Sequence, residues 1–478
     1  MSSKRWMCRL VLVGMTYEAA VFAQGFTTVV NFDVADGNGP LAGLVQGLDG
    51  NLYGTTAYGG SCTLSYLGCG TVFKMTPGGR LTTLHVFTGP DGANPYSGLA
   101  LDSQGNLFGT TGSGGAGAQC TVSGGCGTVF EITPSGSLTT LYNFCSLENC
   151  ADGYSPYGGL IEAQNQEFYG TTELGGASGN YGTVFKITSA GVLTTLHTFG
   201  GPPGPLASLV QATNGDIYGT TGLGGKNGNG TVFKMTPGGT LTIIHSFDGT
   251  DGDFASGGLV EGSGGILYGT TQLGGTSTNC SGGCGTVFGI TLSGAFTSLH
   301  SFEQSDGFTP SAGLIRATDG NLYGSTVEGG YDYLCPGGCG TIFQITPGGV
   351  LTTLDSLTEF SQGSDIVAPL VQDTDGTFYG TCYVGGGDGA GTVFSVSTGL
   401  AAFVETLPGA GKAGAVVRIL GTNLTGATSV TFNGTPAVFE VVRASEIAAT
   451  IPSGATSGTV QVSTPSGTLL SNVPFEVR

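Results

Sequence analysis

The side chains of this chain best suited to chemistry are carboxylates that immediately precede a glycine. Asp36, Asp91, Asp152, Asp251 and Asp306 form such Asp-Gly pairs in long, turn-rich segments. Gathered on one face, they could hold calcium or another hard cation through oxygen ligands. An Asp-Gly pair is more often simply a turn, and both readings stay open. Tyr96, Tyr154, Tyr157, Tyr331 and Tyr333 are expected on the same face, where their rings could stack on sugars. A hydrolase would need an acid and a base that occur once, against the background of repeated positions. The irregular acids are Glu162, Glu173, Glu261 and Glu328. Glu162 and Glu261 stand at equivalent positions, and Glu173 and Glu328 lie near a shared loop start, so no unique pair emerges. His85, His197, His245 and His300 share one position, where other copies carry Asn31, Tyr142 and Asp355. They read as interchangeable strand residues, and no catalytic residue or organic cofactor is assigned.

The twelve cysteines carry a redox signal. Cys62 and Cys69, Cys120 and Cys126, Cys280 and Cys284, and Cys335 and Cys339 bracket equivalent loops, the second of each pair directly before Gly-Thr. Three other copies lack both members, so the cysteines come and go in pairs, as disulfide partners do. Cys145 and Cys150 make a fifth pair in another loop. Each small loop so closed is worth about 2 kcal/mol in the chain-entropy account. Zinc is disfavoured, because each loop offers two thiolates where a structural site needs four ligands. Two remain: Cys8, near the N-terminus, and Cys382, whose equivalents are threonines, which points to buried packing. Disulfides in this number suit an oxidising compartment.

These residues are positioned by a tandem repeat. Tyr-Gly-Thr-Thr or a near-copy begins at Tyr53, Phe108, Tyr169, Tyr218, Tyr268, Tyr323 and Tyr379. Around it recur a Gly-Leu-Val-Gln-like strand, Gly-Thr-Val-Phe, and Leu-Thr-Thr-Leu-His-x-Phe. Four short strands per unit is the content of a propeller blade. After the seventh Gly-Thr-Val-Phe no fourth strand follows, but a copy stands ahead of the first unit as Phe26 to Phe32. The expected fold is therefore all-β: a seven-bladed propeller over 24–399, closed by the N-terminal strand. With no open edge to pair with another chain, a monomer is expected. The glycine of Tyr-Gly-Thr-Thr is expected to make room for an aromatic ring of a facing blade. The cysteine-pinned and Asp-Gly loops should share one face, opposite uniform turns such as Thr76 to Gly79.

Residues 1–23 read as a signal peptide: Lys4, Arg5 and Arg9 precede an apolar stretch, and Val21-Phe22-Ala23 fits a cleavage site. The only tryptophan, Trp6, would leave with it. A net charge of −19 repels phosphate backbones, so nucleic-acid binding is not expected. No second apolar span of about 20 residues follows, so the mature protein is expected to lack a transmembrane segment. Residues 400–478 hold no cysteine and alternate as short strands, enough for a small β-sandwich.

Two resemblances add to this. Gly421-Thr422-Asn423-Leu424, Val430 to Gly434, Ile451-Pro452 and Gly458 to Val462 resemble the IPT/TIG immunoglobulin-like domains over almost all of 402–478. That resemblance implies a spacer or adhesive module, since the DNA-contacting relatives use basic loops this chain lacks. The repeats resemble the GloVer tandem repeat of bacterial surface proteins over 26–397, which implies an extracellular setting and supplies no catalytic residues. The sorting signal often found after such repeats does not follow Phe475 to Arg478, and attachment by that route is not expected. The expected function is a secreted or cell-surface interaction protein that binds a glycan, peptide or partner protein through its loops. The alternative is an extracellular glycan hydrolase or lyase with an accessory sandwich.

Overall fold

The computed structural model describes residues 25–62, 68–120, 124–177, 180–201, 204–330, 335, 337–358 and 360–478. The expected signal peptide and the tyrosines at 331 and 333 lie outside the described residues. The chain is all-β. In the first repeat unit β2 (Val45–Gln46), β3 (Leu52–Thr56), β4 (Thr71–Met75) and β5 (Leu81–Val86) form an antiparallel sheet in sequence order. Burial explains the strand types. β3 and its equivalents are covered on both faces, whereas β5, Leu-Thr-Thr-Leu-His-Val, is half exposed along its length. Five further units repeat this sheet.

The seventh sheet is composite. Val371–Gln372, Phe378–Cys382 and Thr392–Ser397 are joined by β1 (Gly25–Asn31), which pairs antiparallel with Thr392–Ser397. Even an irregularity is reproduced: the register of β4 against β5 slips between Val72 and Phe73, and β1 slips at the equivalent place, opposite Val393 and Phe394. Contacts between units are also repeated. Thr55 Oγ1 donates to Ser97 O at 3.0 Å, Thr220 Oγ1 to Gly257 O at 3.2 Å and Thr270 Oγ1 to Ala312 O at 2.9 Å, each reaching the next unit. Thr381 Oγ1 donates to Ala42 O at 3.1 Å, joining the last unit to the first in the same way. A second latch runs from first strands to the preceding unit's turn. Glu261 accepts from Thr213 N at 2.8 Å, and Gln46 Nε2 donates to Asp373 Oδ1 at 3.0 Å, again bringing unit one against unit seven.

The glycine of Tyr-Gly-Thr-Thr corrects one expectation. Gly54 lies opposite Phe73 in the same sheet, so the ring it admits belongs to its own unit and not to a facing one. A Cβ on Gly54 would stand 2.6 Å from Phe73 Cζ and 2.7 Å from Leu44 Cδ2, and Gly109 and Gly380 are as tightly covered. Gly54→Ala is expected to cost about 1–3 kcal/mol by overpacking. Urea unfolding measures this, and an unchanged midpoint would refute the account.

The C-terminal region is a two-sheet sandwich. Val404–Leu407, Val416–Gly421, Glu446–Thr450 and Val438–Arg443 form one sheet. Thr435–Pro436, Ser429–Phe432, Val460–Thr464 and Gly467–Leu470 form the other, over a core that includes Ile419, Phe432, Val462 and Phe475. The sandwich seats on the turns between first and second strands. Ser445 Oγ donates to Leu48 O at 2.7 Å, Phe403 N to Thr374 O at 2.9 Å and Arg478 Nη1 to Gln164 O at 3.4 Å, touching units one, seven and three.

Candidate functional site

Every unit contributes to one cavity of 690 Å³. Its wall is made by the segment leading into each first strand, which brings one leucine per unit, from Leu44 to Leu370. Glycines just before these leucines let the segments approach: a Cβ on Gly98 would lie 3.0 Å from Gly43 O, and one on Gly43 3.0 Å from Pro369 O. Isolated bridges such as Asn38 to Tyr58, Ala93 to Ser113 and Asp253 to Leu273 tie each Asp-Gly loop to the loop after the second strand. Both loop types therefore emerge at the same end, as expected, and the cavity's polar side chains belong to these segments.

At this mouth the repeat symmetry breaks. Tyr96 and Tyr157 stack with ring centroids 5.2 Å apart at 28°. Tyr58 and Tyr383 lie close to Tyr96. Gly39, at φ 66°, sits against two of these rings; a Cβ there would be 2.7 Å from Tyr383 and 3.2 Å from Tyr58. Burial, followed by the neighbouring phenols, pushes the Tyr96 hydroxyl above its ordinary range; Tyr157 is raised by burial and then by the charge of Glu173. Glu173 itself is half-buried in the cavity wall, and burial raises its carboxyl above the usual range. Across the cavity Gln272 Nε2 donates to Ser256 Oγ at 2.6 Å, beside Phe254. The arrangement offers flat aromatic faces, amide and hydroxyl groups and one carboxylate above an apolar floor.

Of the sequence candidates, Tyr96, Tyr157 and Glu173 are brought together. Tyr154 is instead partly buried against the core that includes Cys126 and Phe144. Glu328 occupies the next register, bridged to Phe308, so it is not the equivalent of Glu173. Glu162 lies on a first strand, its carboxyl pushed up to about 7 by burial and then by Asp102, and Glu261 serves as the latch to Thr213. Tyr58, Tyr383, Phe254 and Gln272 were missed. A signal existed: the residue after Tyr-Gly-Thr-Thr is small or apolar in four units, Ala57, Gly112, Gly222 and Val327, but is Glu173, Gln272 and Tyr383 in the others.

The Asp-Gly carboxylates stay in separate loops. Asp91 Oδ1 accepts from Thr88 N at 2.9 Å, and its Oδ2 accepts from His85 Nε2 at 2.8 Å. Asp251 and Asp306 repeat both contacts with His245 and His300, Asp152 takes a phenol from Tyr142, and Asp36 accepts from Asp33 N. His85, His245 and His300 thus serve as loop braces, whereas His197 meets the ring of Phe199 edge-on. Among the described residues no three His, Cys, Asp or Glu side chains are grouped as a metal site. The five disulfides form with the expected partners, Cys62–Cys69, Cys120–Cys126, Cys145–Cys150, Cys280–Cys284 and Cys335–Cys339. Cys382 is free and fully buried, its thiol pushed up to about 12 by that burial, which leaves it inert. No helix among the described residues is long and apolar enough to cross a membrane.

A chain of repeated four-stranded sheets sharing one cavity, followed by an immunoglobulin-like sandwich, is a modular repeat protein. It belongs to the Gloeobacter/Verrucomicrobia repeat family, which matches residues 13–147, 119–335 and 274–439; residues 404–477 match the IPT/TIG domain. Comparison with curated protein sequences found no match. Among solved structures, a fungal alcohol oxidase of the AA5 family in complex with copper is similar at a TM-score of 0.53 and 15% identity, covering 95% of this chain and 99% of that one. A periplasmic gluconolactonase from Pseudomonas aeruginosa reaches 0.44 at 17% identity, covering 73% and 96%. A gluconolactonase from Xanthomonas campestris reaches 0.37 at 14%, covering 63% and 84%. The first likeness is one of fold alone, and the weaker two carry no further weight.

Proposed function

We propose that this is a secreted or cell-surface interaction protein that binds a glycan at the mouth of its cavity. In this reading residues 24–399 form a seven-bladed propeller closed by β1, and 400–478 form a sandwich seated on the opposite face. Supporting closure are the repeated latches between units seven and one and the slip of β1 that copies the other fourth strands. Supporting export are the five disulfides. The observation that carries the binding reading is the Tyr96–Tyr157 stack at the rim of a cavity built by every unit. Recognition built on variable loops over a repeating frame leaves the core undisturbed. Binding is favoured over hydrolysis because Glu173 is the one charged side chain along the cavity wall among the described residues, whereas glycoside hydrolysis ordinarily uses a pair of carboxylates.

The test is a glycan-array screen of the exported protein followed by titration calorimetry. Tyr96→Ala and Tyr157→Ala are each expected to weaken binding about tenfold with unchanged circular dichroism. Full affinity in both variants would move the site to the sandwich or the opposite face.

A further inference from the structure

The charge at the cavity mouth is one-sided. Among the described residues Glu173 is the only ionisable carboxylate along the wall, which carries no lysine, arginine or histidine. Its carboxylate has no hydrogen bond or ion pair among the described residues, and burial alone accounts for its altered acidity. A partly buried carboxylate without a partner is unfavourable, and a cation that reaches it relieves that cost. Tyr157, whose phenol feels the charge of Glu173, stacks on Tyr96, with Tyr58 and Tyr383 next to that pair, and such rings have electron-rich faces that attract cations. Gln272, Ser256 and Ser311 across the cavity can exchange hydrogen bonds with hydroxyls. An ammonium group on a hydroxylated ring meets all three features.

We propose that the mouth receives the protonated amine of an amino-sugar residue at the end of a glycan, with Glu173 as its counter-ion. The inference rests on the glycan-binding reading above and narrows it. It also carries a pH signature. The other titratable groups around Glu173 are the phenols of Tyr157, Tyr96, Tyr58 and Tyr383, with Asp365 beyond Tyr383. Burial raises Tyr96, Tyr157 and Tyr383 further from neutrality, so in the acid range the carboxyls govern binding. Affinity for the amine rises with pH as Glu173 ionises and falls again as the amine loses its proton.

The experiment is calorimetry of the exported full chain with a glucosamine tetramer, its N-acetylated counterpart and a neutral glucose tetramer, from about pH 4.5 upward. The glucosamine tetramer is expected to bind at least about tenfold more tightly than the other two. Glu173→Gln should remove that preference while retaining the neutral tetramers, with a melting temperature at neutral pH unchanged or raised. Asp365→Asn should keep the preference. Equal affinity for the three tetramers, or a preference that survives Glu173→Gln, would overturn the ammonium inference and leave the glycan reading standing. Binding of none of them, or of a lysine-bearing peptide alone, would overturn both.

Discussion

Removal of residues 25–32 should be the most damaging truncation of this chain. β1 pairs with Thr392–Ser397 along its length, and Phe26 stacks on Phe394 at 5.2 Å. Phe32 is wholly buried, edge-on to Phe73 of the first unit at 5.1 Å, and Phe32 N donates to Gly391 O at 3.1 Å. Val30 and Phe32, both buried, at about 1.5–3 kcal/mol each, with the voids left behind, put the loss at about 5 kcal/mol. Net stabilities are about 5–15 kcal/mol, so such a loss should abolish or sharply lower the cooperative transition. The bared edge of Thr392–Ser397 should also pair between molecules. Calorimetry and size-exclusion chromatography measure both effects. A truncated protein that melts like the intact one and stays monomeric would refute closure by β1.

The second large effect is a pH dependence centred on Asp373, at the junction of units seven and one. Asp373 is 1% exposed; its Oδ1 accepts from Gln46 Nε2 at 3.0 Å and Asp375 N at 3.1 Å, while Oδ2 has no partner among the described residues. Burial, then the charge of Asp375, pushes its carboxyl up to about 7 from 3.8. The native state therefore holds this proton where the unfolded chain has released it. The stabilisation is complete below the unfolded value and is lost as pH rises from about 4 through about 7, a change on the order of a few kcal/mol. The neighbouring Thr374 accepts from Phe403 and meets Thr422, so the sandwich's seat should loosen over the same window. Asp373→Asn should flatten the fall of melting temperature between mildly acid and mildly alkaline buffer, leaving the smaller slope due to Glu162. An unchanged slope in that variant would show that Asp373 titrates near its ordinary value.

Much of the architecture was legible in the residues because its causes are local or periodic. The strand order of each unit follows from the repeated Tyr-Gly-Thr-Thr and Gly-Thr-Val-Phe elements, and the role of Phe26 to Phe32 from counting copies. The cysteine pairs lie only 4 to 7 residues apart, so their partners are set by the loop that holds them. The sandwich was harder to read: its strand Glu446–Thr450 turns only Ile447 and Ala449 into the core, while Glu446, on the other face, is buried by its ion pairs with Arg418 and Arg443. Glu173 and Glu328 do lie near a shared loop start, yet only Glu173 reaches the cavity, because a shift of one residue along the loop reverses which side faces it.

By itself the sequence determined the all-β repeat, the local disulfides and the acidic surface, since each depends on spacing within a unit or on composition. Only the tertiary structure decided which of many loop residues share a mouth, because that depends on how units far apart in the chain are set side by side. Gln46 meets Asp373 across 327 residues, and Arg478 meets Gln164 across 314. The stack of Tyr96 on Tyr157 and the exposure of Glu173 to the cavity arise in the same way: packing between units places each side chain, and no pattern within one unit records it.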